Sequence, residues 1–216
     1  MPQRPDIASI RRDYQQGDLD LDQVHLDPLQ QFDQWFHAAV DSEVPEPNAM
    51  SLSTVVEGRP ANRIVLLKDF DPKGFVFYTN YQSRKGQEIA ANPQVALTFW
   101  WAELERQVRI EGRAEKVPAE ESEAYFQSRP RGSRMGAWAS PQSQPIADRS
   151  VLEARVEGLQ QTYGDAKPIP RPEHWGGYRV RPDYLEFWQG RSSRLHDRIE
   201  YRLQPDGSWQ RQRLAP

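Results

Sequence analysis

The sequence predicts a mainly β fold with flanking helices, an α+β chain whose strands close into an antiparallel barrel. Short apolar or alternating runs bounded by Gly, Pro, Asn and Asp recur along most of the chain. Few helical patterns fall between them, so successive strands join through short turns, as antiparallel strands do. The helical patterns that do occur carry their own start and stop signals.

In chain order, residues 1–27 are polar and acidic, with Asp18, Asp20, Asp22 and Asp27, and read as a mobile N-terminal arm. Within it, Ile7 to Gln16 has room for a short helix carrying Arg11, Arg12 and Tyr14. Residues 28–216 read as one domain. Asp27-Pro28 opens a helix in which Leu29, Phe32, Trp35, Phe36 and Ala39 recur at helical spacing. Met50 to Val56 is a strand, and Glu57-Gly58-Arg59-Pro60 a turn. The next stretch, Arg63-Ile64-Val65-Leu66-Leu67-Lys68, reads as a buried strand with a cation at each end. At ~3.3 Å per residue those cations stand ~17 Å apart, too far to share one phosphate.

Gly74 to Thr79 is the following strand, after a turn at Asp71 to Gly74. Ser83 is the expected N-cap of a helix that ends at Asn92-Pro93. Arg84 and Lys85 then lie in its first turn, the end where free N–H groups already make a helix positive. An anion docked there, such as a phosphate, removes the conflict. Gln94 to Trp101 and Leu104 to Val117 are strands, the second alternating polar with apolar. Pro118 starts a helix that carries Tyr125 and Arg129 on one face and stops at Pro130. Gly132, Ser133 and Trp138 follow, leading to a loop with Gln142 and Ser143. Asp148 to Tyr163 is an amphipathic helix with Val151, Leu152, Val156 and Leu159 inward. Ala166 to Glu173 is a connector. Tyr178 to Val180 and Tyr184 to Trp188 are two strands. Arg194 to Tyr201 is another, on which Arg194, His196 and Arg198 share a face by period-two spacing. Asp206-Gly207 is a hairpin turn before the last strand, Ser208 to Leu214.

Composition narrows the function. A net charge of −3 over 216 residues gives no general pull toward nucleic acid or anionic membrane. There is no cysteine, hence no thiol nucleophile or cysteine metal site. The four histidines, at positions 25, 37, 174 and 196, form no i,i+4 pair, which argues against a catalytic zinc site. No P-loop, Rossmann fingerprint or nucleophile elbow is present. No apolar run approaches a membrane span, and the N-terminus lacks a signal-peptide core, so a cytoplasmic location is expected. Residue types alone lead to a β-barrel that binds two phosphorylated ligands.

Ordered motifs carry the reading further. Arg63 to Lys68, Tyr78-Thr79-Asn80, Ser83-Arg84-Lys85, Glu105 to Val108, Tyr125 to Pro130 and Gly136-Ala137-Trp138 occur in that order. Trp175-Gly176-Gly177, Glu186 to Gly190, Arg194-Leu195-His196-Asp197-Arg198 and Arg213-Leu214-Ala215-Pro216 complete the set. From about Arg11 to the last residue the chain resembles the pyridoxamine/pyridoxine 5′-phosphate oxidase family. The resemblance implies an FMN-binding split barrel, a homodimer with FMN at the interface, and O2 as acceptor with H2O2 as product. It assigns FMN to Arg63, Ile64, Val65, Leu66, Leu67, Lys68, Tyr78, Thr79, Arg84, Lys85, Gln107, Gln142, Ser143, Trp188 and Arg198. It assigns the substrate phosphate to Lys68, Tyr125, Arg129 and Ser133, and the substrate ring to Arg194, Leu195 and His196, with Arg11 and Tyr14 in an arm that closes over it. In that family pyridoxamine or pyridoxine 5′-phosphate is oxidised to pyridoxal 5′-phosphate, with the flavin carrying the chemistry. Two alternatives stay open: another flavin oxidoreductase on the same barrel, or a non-enzymatic carrier of flavin or pyridoxal phosphate.

Overall fold

A computed structural model describes residues 6–216; residues 1–5 of the expected arm lie outside the described residues. The chain divides into two compact units. One comprises the described part of 1–47 with 98–110 and 184–216, and the other 48–97 with 111–183. The hydrogen-bonding order of the strands is β2 (Arg59–Leu66), β1 (Ala49–Val56), β5 (Gln94–Trp101), β6 (Arg106–Lys116), β7 (Trp175–Gln189), β4 (Gly74–Asn80) and β3 (Asp69–Asp71), with β8 (Asp197–Leu203) paired to β7 and β9 (Trp209–Leu214) to β8. Among the described residues, no helix is long and apolar enough to cross a membrane.

In the first unit, α1 (Pro28–Asp41) starts where expected. The Asp27 carboxylate accepts the Leu29 N–H at 2.9 Å, and Pro28 fills a position whose N–H would have no helical partner. Its inward stripe meets aromatic neighbours: Phe32 lies 5.2 Å from Phe99, and Trp35 packs edge-on against Phe187 at 5.2 Å. β8 (Asp197–Leu203) runs antiparallel to the end of β7 (Trp175–Gln189) and to β9 (Trp209–Leu214). Gly207, at φ 84°, closes the β8–β9 turn. The helix expected through Gln16 is a single 3-10 turn at Ile7–Ser9. Beyond it the backbone N–H groups of Gln15 and Gln16 donate to the Glu105 carboxylate, a distant acceptor that replaces helical partners.

In the second unit, β1 (Ala49–Val56) and β2 (Arg59–Leu66) form a hairpin over a two-residue turn. Glu57 and Gly58 both have positive φ, 52° and 74°, the turn whose twist suits a tight hairpin. Arg59 and Pro60 therefore belong to the strand rather than to the turn. β2 is an edge strand, and Ile64 is 67% exposed, so the expected buried strand is a surface strand. Leu67 and Lys68 lie beyond its end, so Lys68 is off the strand that was expected to carry it. β3 (Asp69–Asp71) and β4 (Gly74–Asn80) follow, and β4 pairs with the start of β7. α2 (Arg84–Ala91), β5 (Gln94–Trp101) and β6 (Arg106–Lys116) come next.

Four further expectations are corrected. α3 (Ala119–Ser128) ends one residue before Arg129, which caps it in extended backbone because Pro130 disfavours helical geometry in the preceding residue. The stretch after Pro130 is a helix, α4 (Arg131–Ala139), masked in the sequence by Gly132 and Gly136. α5 (Ser150–Tyr163) has no buried residue; Leu159 packs on the cluster of Phe126, Met135, Ile169 and Trp175, but Val156 is exposed. The two strands around Pro182 are one 15-residue strand, β7.

Candidate functional site

The first turn of α2 shows how the chain sorts its cations. Ser83 Oγ accepts the Gly86 N–H and caps the helix, leaving Arg84 and Lys85 in the turn it opens. Arg84 Nε lies 2.8 Å from Glu88 Oε1, one helical turn on, and Arg63 Nη2 lies 2.5 Å from Oε2. Thr54 Oγ1 donates to the same carboxylate at 2.6 Å. Burial raises the Glu88 pKa, but these three hydrogen bonds outweigh it and hold the group below the usual carboxylate range. Lys85 has no such partner. Its ammonium donates to Thr79 Oγ1 at 3.2 Å and Gln142 Oε1 at 3.4 Å. Burial, then the Arg63 charge, push its pKa down against Glu88.

Lys85 lines a cavity of about 450 Å³ that also gathers Ile64, Val65, Leu66, Lys68, Tyr78, Thr79, Tyr125, Arg129, Ser133 and Gln142. Sequence reasoning named every one of these. Arg63, Leu67, Arg84 and Ser143 do not line it. One wall is a stack of rings: Tyr78 lies 3.9 Å from Tyr125 and 5.5 Å from Trp175, nearly parallel to both. Burial pushes the Tyr78 phenol up to about 12 and Tyr125 upward too, so both rings are neutral at pH 7. The Arg129 guanidinium sits 4.6 Å over Trp175, and its buried Nη1 has no hydrogen-bond partner. Burial pulls its pKa down. A buried, unpartnered guanidinium N–H beside two lysines is built to receive an anion.

A second cavity, of about 640 Å³, belongs to the first unit. It is lined by Arg11, Arg12, Tyr14, Trp100, Trp188, Arg191, Arg194 and His196. Trp188 lies 4.6 Å from His196, and Tyr14 is 5.8 Å from each of them. Arg194 and His196 are not on a strand with Arg198. Ser193 and Arg194 take positive φ, 55° and 62°, in a 3-10 turn, and β8 starts only at Asp197. The Arg191 N–H donates to His196 Nδ1 at 3.1 Å, so the neutral ring carries its proton on Nε2. Burial first, then Arg194, lower the His196 pKa against Asp197, which keeps the ring neutral at pH 7. Leu195 is 69% exposed. Arg198 is held by both oxygens of buried Glu186, at 3.1 and 2.9 Å, and Gln107 is half-buried on β6.

Sequence reasoning missed Glu88, Trp175 and Trp100 as site residues. Glu88 left a signal in its i,i+4 spacing from Arg84, and Trp175 in the motif it opens with Gly176 and Gly177.

Known proteins with this architecture narrow the reading. Residues 36–163 match the family model described as pyridoxamine 5′-phosphate oxidase. Residues 175–216 match the pyridoxine 5′-phosphate oxidase C-terminal dimerisation region. The pyridoxine/pyridoxamine 5′-phosphate oxidase of Herminiimonas arsenicoxydans is 61% identical over 211 residues, covering 97% of this chain and 99% of that protein. The protein of that name from Acaryochloris marina is 57% identical over 216 residues, 100% of this chain and 98% of the other. Among solved structures, PhzG from Burkholderia lata, in complex with tetrahydrophenazine-1-carboxylic acid, superposes with a TM-score of 0.85 at 29% identity. That match covers 93% of this chain and 100% of PhzG. A pyridoxamine 5′-phosphate oxidase-related, FMN-binding protein from Nostoc punctiforme shares the fold, with a TM-score of 0.71 at 18% identity over 89% of this chain and 100% of that one. The mainly β fold with flanking helices expected from the sequence is this split barrel. With both family models matched in order and relatives alike from end to end, the chain belongs to the pyridoxamine 5′-phosphate oxidase family.

Proposed function

We propose that this protein is an oxidoreductase that uses FMN to convert pyridoxamine or pyridoxine 5′-phosphate to pyridoxal 5′-phosphate, with O2 as acceptor and H2O2 as product. The observation that carries the reading is the first cavity. Lys68, Lys85 and Arg129 line it, and Arg129 keeps a buried N–H without a partner. Such a cavity fits phosphate groups, and its aromatic wall and β2 residues fit planar rings. FMN, when bound, supplies the two-electron acceptor for the hydride leaving the substrate's 4′ carbon. The amine substrate also loses a proton and becomes an imine, which water converts to the aldehyde and ammonia; the alcohol gives the aldehyde directly.

The protein's own part is binding and orientation. Lys85, with Thr79 and Gln142 around its ammonium, holds the flavin phosphate, with Arg63 and Arg84 behind it on Glu88. Tyr78, Ile64 to Leu66, Leu67, Gln107, Ser143, Trp188 and Arg198 complete the flavin contacts on this reading. Lys68, Tyr125, Arg129 and Ser133 take the substrate phosphate. Arg194 and the His196 Nε2–H are donors toward the substrate ring, with Arg11 and Tyr14 beside them in the cavity and exposed Leu195 between them in sequence. The match of residues 175–216 to a dimerisation region supports a homodimer, and on this reading FMN binds at its interface.

Oxygen uptake by the FMN-loaded protein with pyridoxamine 5′-phosphate tests the function, with aldehyde and peroxide assayed in parallel. An FMN-loaded protein that consumes no oxygen with either phosphate ester rejects it. Sedimentation showing an active monomer rejects the dimer.

A further inference from the structure

Glu105 is a residue that the chemistry above does not use. It is 2% exposed and has φ 53°, a left-handed backbone that a side chain other than Gly, Asn or Asp seldom adopts. Its carboxylate is turned toward the N-terminal segment. Oε2 accepts the N–H groups of Gln15 and Gln16 at 2.7 and 3.0 Å, and Arg12 Nε stands 3.4 Å from Oε1. Tyr14 lies between these anchored residues. Its ring closes on Gly190 so tightly that a Cβ there would come within 2.7 Å of Tyr14 Cγ. From that position Tyr14 faces Trp188 edge-on and His196 at a tilt.

We propose that Glu105 is a positioning residue: its carboxylate latches residues 12–16 and thereby holds Tyr14 as a wall of the cavity that contains Arg194 and His196. Two N–H donors on one oxygen set the direction of the backbone on the C-terminal side of Tyr14, and Arg12 sets it on the N-terminal side. Gly190, lacking a side chain, leaves the space that the ring fills. A second anchor lies further along and is independent of Glu105. The Leu19 N–H donates to Asp197 Oδ2 at 3.2 Å, and Arg213 Nη2 donates to the Leu19 carbonyl at 2.9 Å. Loss of the Glu105 carboxylate therefore frees residues 12–16 and leaves Leu19 in place. The inference rests on the proposed function for the identity of the substrate; the latch itself does not.

The test uses full-length, FMN-loaded protein with Glu105→Gly and Glu105→Gln. Glycine removes the acceptor and accepts the φ of 53° without strain, so the turn is kept. Glutamine keeps one carbonyl oxygen for the two N–H donors. Hydrogen exchange at Gln15 and Gln16 should quicken at least about tenfold in Glu105→Gly, with the Leu19 amide unchanged. The KM for pyridoxamine 5′-phosphate should rise about tenfold with kcat little altered, the pattern of lost binding wall rather than lost chemistry. Glu105→Gln should recover most of both. Parental exchange and KM in Glu105→Gly overturn the latch, and so does equal quickening at Leu19, which would mean general loosening. Equal damage in the two variants overturns it as well. If the parent protein oxidises no pyridoxamine phosphate, the functional reading falls while the exchange result still decides the latch.

Discussion

Replacing Arg129 with Ala isolates the substrate phosphate from the flavin phosphate. Arg129 brings to the cavity a guanidinium whose Nη1 is buried without a hydrogen-bond partner, beside Tyr125, Ser133 and Lys68. A phosphate oxygen that accepts from that N–H gains a charge-assisted hydrogen bond, about 1.5–3 kcal/mol. At about 1.4 kcal/mol per decade, Arg129→Ala should raise the KM for pyridoxamine 5′-phosphate about ten- to a hundredfold. The guanidinium also lies 4.6 Å over Trp175, a contact contributing about 0.5–2 kcal/mol to the ring stack. Arg129→Lys keeps the charge and loses the planar fork, so its KM should fall between parent and Ala. Lys85 lines the same cavity, which makes FMN titration the deciding control. FMN affinity should hardly change in Arg129→Ala, while Lys85→Ala should loosen FMN first. Unphosphorylated pyridoxamine, a poor substrate throughout, should be indifferent to Arg129→Ala. Steady-state oxygen uptake on both substrates, with FMN titration of each apo variant, gives each of these quantities. An Arg129→Ala protein that loses FMN and keeps its KM refutes the assignment of the two phosphates.

Glu88 is held below the pKa of 4.5 of a free Glu, so its contribution to stability is complete above that value and is lost as pH falls through the lower folded-state pKa. Thermal melts of the apo protein from pH 7 downward should show a steeper acid loss in the parent than in Glu88→Gln; parallel curves would count against it. Arg179 is 10% exposed and lies 2.5 Å from Asp71 and 3.2 Å from Glu121. Arg179→Met should cost roughly 2–3 kcal/mol in urea unfolding, less than a fully buried pair because both carboxylates are about a third exposed; a loss under about 0.5 kcal/mol, the ordinary surface value, would contradict this. Gly86, in the first turn of α2, lies against the Tyr81 carbonyl with no room for a Cβ. Gly86→Ala should lower the melting temperature and weaken FMN binding together, since the turn that carries Lys85 must shift; unchanged FMN affinity would separate that turn from the flavin.

Where a signal was local, the sequence disclosed the structure. Asp27 and Ser83 cap the helices that their positions announce, because a capping side chain and its N–H lie within three residues of each other. β4 and β5 begin and end close to their turn residues for the same reason. Non-local partners hid the rest. Pro182 reads as a strand break, yet β7 runs through it, since Pro is excluded only where the ladder needs its N–H. The apolar run Ile64-Val65-Leu66 carries no mark that tells a core from a cavity lining, and at the edge position it lines the cavity. Arg194 and His196 have the spacing of a strand face, but positive φ at Ser193 and Arg194 takes them out of the strand.

The resemblance of motifs named many arginines as ligand contacts; their partners divide them. Arg63 and Arg84 share Glu88 and Arg198 is on Glu186, while Arg109 and Arg202, which were not named as contacts, are on Glu186 and Glu200. The three carboxylates are almost fully buried and would be costly to leave unpaired, so these arginines are bound into the fold before any ligand arrives. Lys68, Lys85 and Arg129 have no ion pair with a carboxylate among the described residues, and all three line the first cavity. An incoming phosphate meets those three without displacing a carboxylate, whereas at Arg63 or Arg84 it competes with Glu88. The difference sets an order of effect within one cofactor site: Lys85→Ala should weaken FMN more than Arg84→Ala. Arg84 is 73% exposed and already neutralised, so its charge reaches the phosphate only through water and across Glu88. FMN dissociation constants for the two variants, measured at low and at physiological salt, compare them directly. An Arg84→Ala protein with the larger loss at both salts would mean that the flavin phosphate displaces Glu88 from Arg84, and that the carboxylate is a placeholder for the ligand rather than part of the scaffold.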